Sequence, residues 1–340
     1  MTFDRCAPLI VVLRNLALTC FFLPQFALLT ALSPSTAHAD SLTVVVPANA
    51  EERWTNRVTR LKDLLRKDDT LLLTQGQTGS WGEIVEGLKE GWIDVAILPL
   101  GVLRQMVPAT AVWHLPFVQV SPGKAESAVA KSEAFTKLQA FSLQQNWPIL
   151  GLFAERLILL STHDCPATPR DFLGRRVVSY PFYHPLLVQL GAAPFTMPVG
   201  EIFAGLQKGH GTLTLVPVHM AVAADLPSIA VGVPDPRNAP MTLGWHAVVA
   251  SPALWANLKK PVRKEIGALT TEWIAQDRRH DEQRYDSFHK TLTESQLCQV
   301  DAEAWATFIE AYRQHIRSEN AAYVELLDAL FAALPLERDQ

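Results

Sequence analysis

The chain has 340 residues, 49% of them hydrophobic and 19% charged, which is enough apolar content to bury a full core and two lobes' worth of it. With 30 basic and 34 acidic side chains it carries a net charge of −4, and no basic tract points to a nucleic-acid partner.

The N-terminal segment stands apart. Arg5 and Arg14 precede an apolar run from Leu16 to Leu32, interrupted by Pro24 and Gln25, and Ala37-His38-Ala39 offers a small-x-small cleavage site. The run falls short of the ~20 apolar residues that a permanent span needs. In "LALTC", Ala17 and Thr19 disfavour lipidation at Cys20. Residues 1–39 therefore read as a secretory signal cleaved after Ala39, which puts the mature chain outside the cytoplasm. Cleavage removes two arginines and one aspartate and shifts the net charge to −5. It also removes Cys6 and Cys20, so that only Cys165 and Cys298 remain. In an oxidising compartment these two are expected to pair, the alternative being two separate buried thiols; they are too few for a zinc site.

"SLTVVV" from Ser41 reads as a buried strand, and Trp54, Val58, Leu61 and Leu65 space a helix from about Glu51 to Lys67. "TLLLTQ" is a second strand. A helix over Glu83–Glu90 closes on Gly91, and "IDVAIL" follows as a third strand. This alternation predicts a parallel sheet covered on both faces. Residues 123–146 read as one helix leading into the extended run "WPILGLFAERLILLST", which carries Arg156 in an otherwise apolar stretch. "RRVVSY", "YHPLLVQLG", "PFTMP", "GEIFAGLQKG" and "LTLVPV" then form a second strand and helix series. Two such series imply an α/β protein of two similar lobes.

From Ser251 the pattern is helical, with Ser251 as N-cap, Pro252 in the first turn, and Trp255, Leu258, Val262, Ile266, Leu269 and Trp273 on one stripe. Pro261 kinks this helix or splits off its first turns. A final helix begins near Asp301.

Catalytic and cofactor signatures are missing. "GQTGSWG" lacks the Lys-Ser/Thr ending of a phosphate loop, and there is no GxSxG elbow. In "THDC", Thr162–Cys165, neighbouring side chains of an extended chain point to opposite faces and do not make a nucleophile and base pair. The charge run around His280, Asp281 and Glu282 reads as a solvated helix face without a third metal ligand. No catalytic residue, metal site or cofactor is expected, and a binding cleft between lobes is the leading reading.

"TPRDFLGRRV" followed by "LGAAPFTMPVGEIFAGLQKG" resembles the central signature of the solute-binding subunits of tripartite ATP-independent periplasmic (TRAP) transporters, of the dicarboxylate-type family. "GQTGSWGEIVEGLKEGWIDVAIL", "LPF" at Leu115–Phe117 and "ASPALWANLKKPVRKEI" extend the resemblance over most of the mature chain. It implies a type II-like two-lobed binding protein with a long lobe-spanning helix, located in the periplasm. Residues 40–153 with 244–285 would form one lobe, and 154–243 with 286–340 the other. The lobes would close on a small-molecule solute, a carboxylate, and hand it to membrane subunits of the transporter.

In the family's motif an arginine four residues after the glycine clamps the solute carboxylate with two parallel charge-assisted bonds. Four residues after Gly174 stands Val178, so this chain lacks that clamp. Arg176, where the family commonly has lysine, shares Val178's strand face and is a candidate substitute; the alternative is a strand-end arginine in solvent or a salt bridge. Val216 replaces a polar asparagine, which with Val178 makes the expected site more apolar. Arg156 matches a second family arginine and is favoured as a ligand contact over a structural ion pair, since a buried unpaired charge is costly. Gln77, Phe117, Tyr180, Phe182 and His246 complete the expected ligand set; Trp81, Trp113 and Trp245 are further aromatic candidates. Two other readings stay open: a periplasmic sensor presenting its ligand to a receptor, and an exported enzyme in which His246 or His219 bonds a Ser or Cys.

Overall fold

The computed structural model describes residues 41–47, 51–78, 80–113, 122–235 and 243–334. The proposed signal and Phe117 lie outside these. Among the described residues no helix is long and apolar enough to cross a membrane.

The first half begins with β1 (Ser41–Val46), α1 (Glu51–Leu65), β2 (Asp69–Thr74), α2 (Gln75–Thr78), α3 (Trp81–Glu90) and β3 (Val95–Pro99). α3 starts two residues earlier than the spacing predicts, because Ser80 and Glu83 form a reciprocal capping box. It ends at Gly91, whose φ of 81° takes the left-handed conformation that glycine adopts without strain. The single helix expected over 123–146 is two, α4 (Pro122–Lys131) and α5 (Glu133–Gln144). Ser132 breaks it by turning extended and accepting the Ala134 N–H at 3.2 Å.

β4 (Ile149–Ser161) opens the second series of β5 (Arg176–Ser179), α6 (His184–Gln189), β6 (Ala193–Phe195), α7 (Val199–Gln207), β7 (Leu213–Pro217) and α8 (Val218–Ala223). β8 (Val233–Pro234) and β9 (Leu243–Ala250) follow, then α9 (Pro252–Asn257), α10 (Lys260–Thr291), β10 (Leu297–Cys298), α11 (Ala302–Glu319) and α12 (Val324–Ala333). Pro261 splits the expected C-terminal helix: it occupies the first turn of α10, where its missing N–H costs nothing.

Eight strands form one sheet in the order β2-β1-β3-β9-β4-β7-β5-β6. The expected parallel sheet is instead two parallel triplets joined by antiparallel strands. β1 pairs with β2 and β3 in parallel, as β5 does with β6 and β7, while β9 and β4 run antiparallel to their neighbours. β4 is the joint: it pairs with β9 up to Arg156 and with β7 from Leu157 onward. Pro99, the last residue of β3, aligns with His246, which aligns with Phe153 of β4. Pro217, the last residue of β7, aligns with Leu157. The carboxyl ends of both triplets therefore point toward each other across residues 153–157, about 13 Å of strand.

Behind the sheet, α10 serves both halves. Its 32 residues make a helix about 48 Å long. Ile266, Leu269 and Trp273 pack with Leu42, Val44 and Trp54, while Tyr285 and Phe288 pack with Ile158, Leu160 and Val216. Trp54 meets Trp273 edge to face at 5.2 Å.

Cys165 and Cys298 are joined by a disulfide, with Cα atoms 5.9 Å apart across 133 residues of sequence. The bond fixes β10 and the β8 strand it pairs with to the loop after β4. A Cys165→Ser/Cys298→Ser double variant should lose about 2–5 kcal/mol of stability. A urea midpoint equal to that of the unaltered oxidised chain would contradict this.

Candidate functional site

In sheets built from parallel strands, ligands sit beyond the carboxyl ends of the strands, and here two such sets of ends converge. Four elements bring side chains to this place: the middle of β4, the turn after β5, the start of α8, and β9. Their polar centre is Glu155, which the sequence reading passed over in favour of its neighbour Arg156. His246 Nε2 lies 3.5 Å from one Glu155 oxygen and His219 Nδ1 lies 3.5 Å from the other. Phe153 stacks on the His246 ring at 5.0 Å.

Gly244, opposite Glu155 in the register, makes room for this arrangement. A Cβ there would come within 2.7 Å of the Tyr183 hydroxyl and 3.1 Å of Glu155 Cγ. Burial raises the Glu155 pKa, but the charges of His246, His219 and Arg284 outweigh it and hold the carboxyl below its ordinary range. Burial pushes the His246 imidazole down, against the pull of Glu155, so the ring favours its neutral form. Burial and then the Glu155 charge push the Tyr180 phenol up to about 12. Glu155 is thus an ionised carboxylate held between two imidazole rings.

The arginines are occupied elsewhere. Arg156 lies over the Tyr285 ring at 3.9 Å with its Nε 4.0 Å from Asp281 Oδ2, and its side chain is 13% exposed. The structure thus supplies the structural ion pair that was the less favoured alternative. The reason is long-range: α10 brings an acid and an aromatic face against this part of β4. It also corrects the reading of the charge run, since Asp281 is buried.

Arg176 stacks on Phe195 at 4.7 Å and is exposed, at the starting end of β5. The crevice lies beyond the other end of that strand, so Arg176 does not substitute for the missing clamp. Arg175 bonds Asp164 at 2.6 Å, Thr212 Oγ1 at 2.9 Å and Ser161 Oγ at 3.1 Å, a knot beside the disulfide. The paired arginines of "GRRV" therefore hold the end of a strand.

Val178 and Val216 are sealed in the core with Ile202 and Leu206 rather than placed on an open wall. Tyr180 does reach the convergence: it stacks on Phe182 at 5.1 Å and its hydroxyl donates to Met220 Sδ at 2.9 Å. Phe182 also lines a cavity of about 480 Å³ with Arg104, His184, Gln189, Tyr312 and His315. Gln77 uses its side-chain oxygen to accept the Thr74 N–H at 2.7 Å, which ends β2. Trp113 and Trp245 are core residues and Trp81 is partly buried. No cluster of His, Cys, Asp or Glu suited to a metal ion is found among the described residues.

Over residues 71–322 the chain matches the model of the DctP family, described as bacterial extracellular solute-binding protein, family 7. It belongs to that family. The ectoine-binding periplasmic protein TeaA of Halomonas elongata is 22% identical over 143 residues, 39% of this chain and 40% of that protein. The match thus spans well under half of this curated relative. A solved structure of the ectoine-binding protein of the TeaABC TRAP transporter from the same organism superposes with a TM-score of 0.72 at 14% identity, covering 87% of this chain and 99% of the other. A TRAP periplasmic solute-binding protein from Chromohalobacter salexigens with bound D-glucuronate gives 0.74 at 16% identity, covering 86% and 99%. These likenesses establish the two-lobed type II-like fold expected for a DctP-family chain.

Burial, and next the Glu155 charge, push the Asp281 carboxyl up to about 7, against the pull of Arg156. An unfolded aspartate ionises near 3.9. Between these values the folded chain binds more protons than the unfolded one, so this group makes stability fall as pH rises through that window. Asp281→Asn should flatten the slope, measured by urea unfolding at several pH values between about 4 and 7. A slope equal to that of the unaltered protein would count against it. Arg156→Gln, which removes the charge opposing this shift, should raise the Asp281 pKa further and extend the slope to higher pH.

Proposed function

We propose that this chain is the exported solute-binding subunit of a TRAP-type transporter, which captures a small organic acid and delivers it to membrane subunits. The observation that carries the reading is the convergence of two sets of strand ends on residues 153–157 of β4, in a member of a solute-binding family. Family membership also supports an extracellular or periplasmic location after removal of residues 1–39. The relatives named for ectoine and solved with D-glucuronate favour a small polar solute.

The solute sits where β4 passes from β9 to β7, near the division between the lobe of residues 40–153 with 244–285 and the lobe of residues 154–243 with 286–340. Closure about this joint encloses it. Tyr180 and Phe182 supply apolar walls, and His246 a polar contact. Gln77 belongs to the opposite rim, and Arg156 acts behind the site by holding α10 to β4. The protein binds and releases its solute unchanged. Both histidines that a nucleophile would require are turned on Glu155 rather than on a serine or cysteine.

Because Val178 stands where the family's clamp arginine belongs, the second carboxylate of a dicarboxylate gains no bidentate partner here. A thermal-shift screen of mono- and dicarboxylates on residues 40–340 tests both points. At about 100 times its dissociation constant a ligand adds ~2.7 kcal/mol of stability. Monocarboxylates should give the largest shifts. Equal stabilisation by dicarboxylates would overturn the preference, and no shift from any organic acid would overturn the functional reading.

A further inference from the structure

The cavity of about 480 Å³ that Phe182 lines falls within the range of about 300–1,000 Å³ that small-molecule sites occupy. It is bounded by segments that directly follow two strands, one from each triplet. Arg104 and Ala111 come from the turns Leu100–Gln105 and Pro108–Trp113 after β3, and Phe182, His184 and Gln189 from the turn and α6 after β5. The cavity therefore lies beyond the carboxyl ends of β3 and β5, where a ligand is expected. Phe182 links it to the joint, since this ring stacks on Tyr180 at 5.1 Å. α11 forms a third side through Tyr312, His315 and Ile316. This helix spans the two halves. Near its start the Trp305 indole N–H donates to the Ala167 carbonyl at 3.0 Å, and just past its end Tyr323 meets Phe141 of α5 edge to face at 5.2 Å.

Arg104 forms no hydrogen bond or ion pair with another described residue. Arginines that join elements elsewhere are matched with an acid: Arg57 with Asp277, Arg156 with Asp281, Arg175 with Asp164 and Arg278 with Glu126. Burial pushes the Tyr312 phenol above its ordinary value and the Arg104 charge opposes that push, so the guanidinium acts on the α11 wall. Two imidazoles join it. His184 Nε2 lies 3.4 Å from the Ser179 carbonyl oxygen, and His315 Nε2 lies 3.0 Å from the Gln189 amide nitrogen. The acid in the lining is Glu319, which is 61% exposed and 3.8 Å from His315. A carboxylate so exposed is screened by water and leaves Arg104 free for an anion. Phe182, Val188 and Ile316 add apolar surface. A guanidinium beside an apolar wall suits a carboxylate on an apolar body, because its planar fork gives two parallel charge-assisted bonds.

We propose that Arg104 grips the carboxylate of the solute in this cavity, in place of the clamp absent at Val178, with the apolar body of the molecule lying along Phe182 toward the joint. This rests on the solute-binding reading and deepens it by naming the anion contact. His184 and Gln189 border the carboxylate from the β5 side and His315 from α11. Such a solute touches both halves and the helix that spans them, so its capture favours the closed arrangement.

Titration calorimetry on residues 40–340 tests this with butanoate, hexanoate and phenylacetate, each beside its neutral amide. At least one acid should bind at least about tenfold more tightly than its amide, the separation expected from a hydrogen bond to a charged group. Arg104→Gln should bring that acid down to the affinity of its amide, and Arg104→Lys, which keeps the charge but not the fork, should restore part of the difference. In the unaltered chain the same acid should slow hydrogen exchange at residues 184–190 and 312–320. Equal binding within all three pairs, no binding by any of the acids, an acid preference kept in a folded Arg104→Gln variant, or unchanged exchange in both segments would each overturn the proposal. The exchange measurement uses the unaltered chain, so it remains decisive if the variants fail to fold. If acids are preferred but Arg104→Gln keeps the preference, this inference fails while the solute-binding reading stands. If no organic acid binds here or in the thermal-shift screen, both fail.

Discussion

The double pairing of β4 is the constraint on which the rest depends. One strand of thirteen residues belongs to two sheets' worth of partners, β9 along its first part and β7 along its last. Because β9 and β4 are antiparallel insertions between parallel triplets, the triplets run in opposite senses and their carboxyl ends face each other. A crevice with backbone ends on both sides follows from that arrangement before any side chain is considered. α10 reinforces it from behind by packing apolar residues against both halves.

Charge at the joint follows from the same geometry. Two adjacent residues of β4, Glu155 and Arg156, are carried into a low-dielectric region where each needs a partner. Arg156 finds its partner in α10. Glu155 finds His246 and His219, and Arg284 adds a favourable charge.

Much of the fold was legible because the interior strands are buried on both faces and read as continuous apolar runs: Leu42–Val46, Val95–Leu98 and Leu213–Val216. Gly91, Ser251 and Pro261 announced helix ends through local backbone chemistry, which needs no tertiary information. Ser132 carried the same kind of signal, a serine followed by glutamate, but its break was hidden by apolar residues on either side. The antiparallel placement of β9 was not legible, since strand order depends on pairings between residues far apart in sequence, such as Val95 with Ala250 and Arg156 with Leu243. At the site, the motif identified the family and the missing arginine, yet it ranked Arg156 above Glu155. Nothing local distinguishes a charge that faces a helix from one that faces a crevice. Asp281 misled for the same reason, because its charged neighbours imitate a solvated face while its own side chain is buried against β4. The usable clue to Glu155 was a second charge in an apolar strand, followed far downstream by the small residue Gly244.

Hydrogen–deuterium exchange with and without a bound solute, taken from whichever acid stabilises the protein most, tests the central claim most directly. Binding at the joint should slow exchange in β4 around residues 153–157, in the turn at 180–183, at the start of α8 and in β9 around 244–246. The far ends of β5 and β7 should change little. Slowed exchange confined to the face lined by α11 and α12, with β4 and β9 unaffected, would contradict the account.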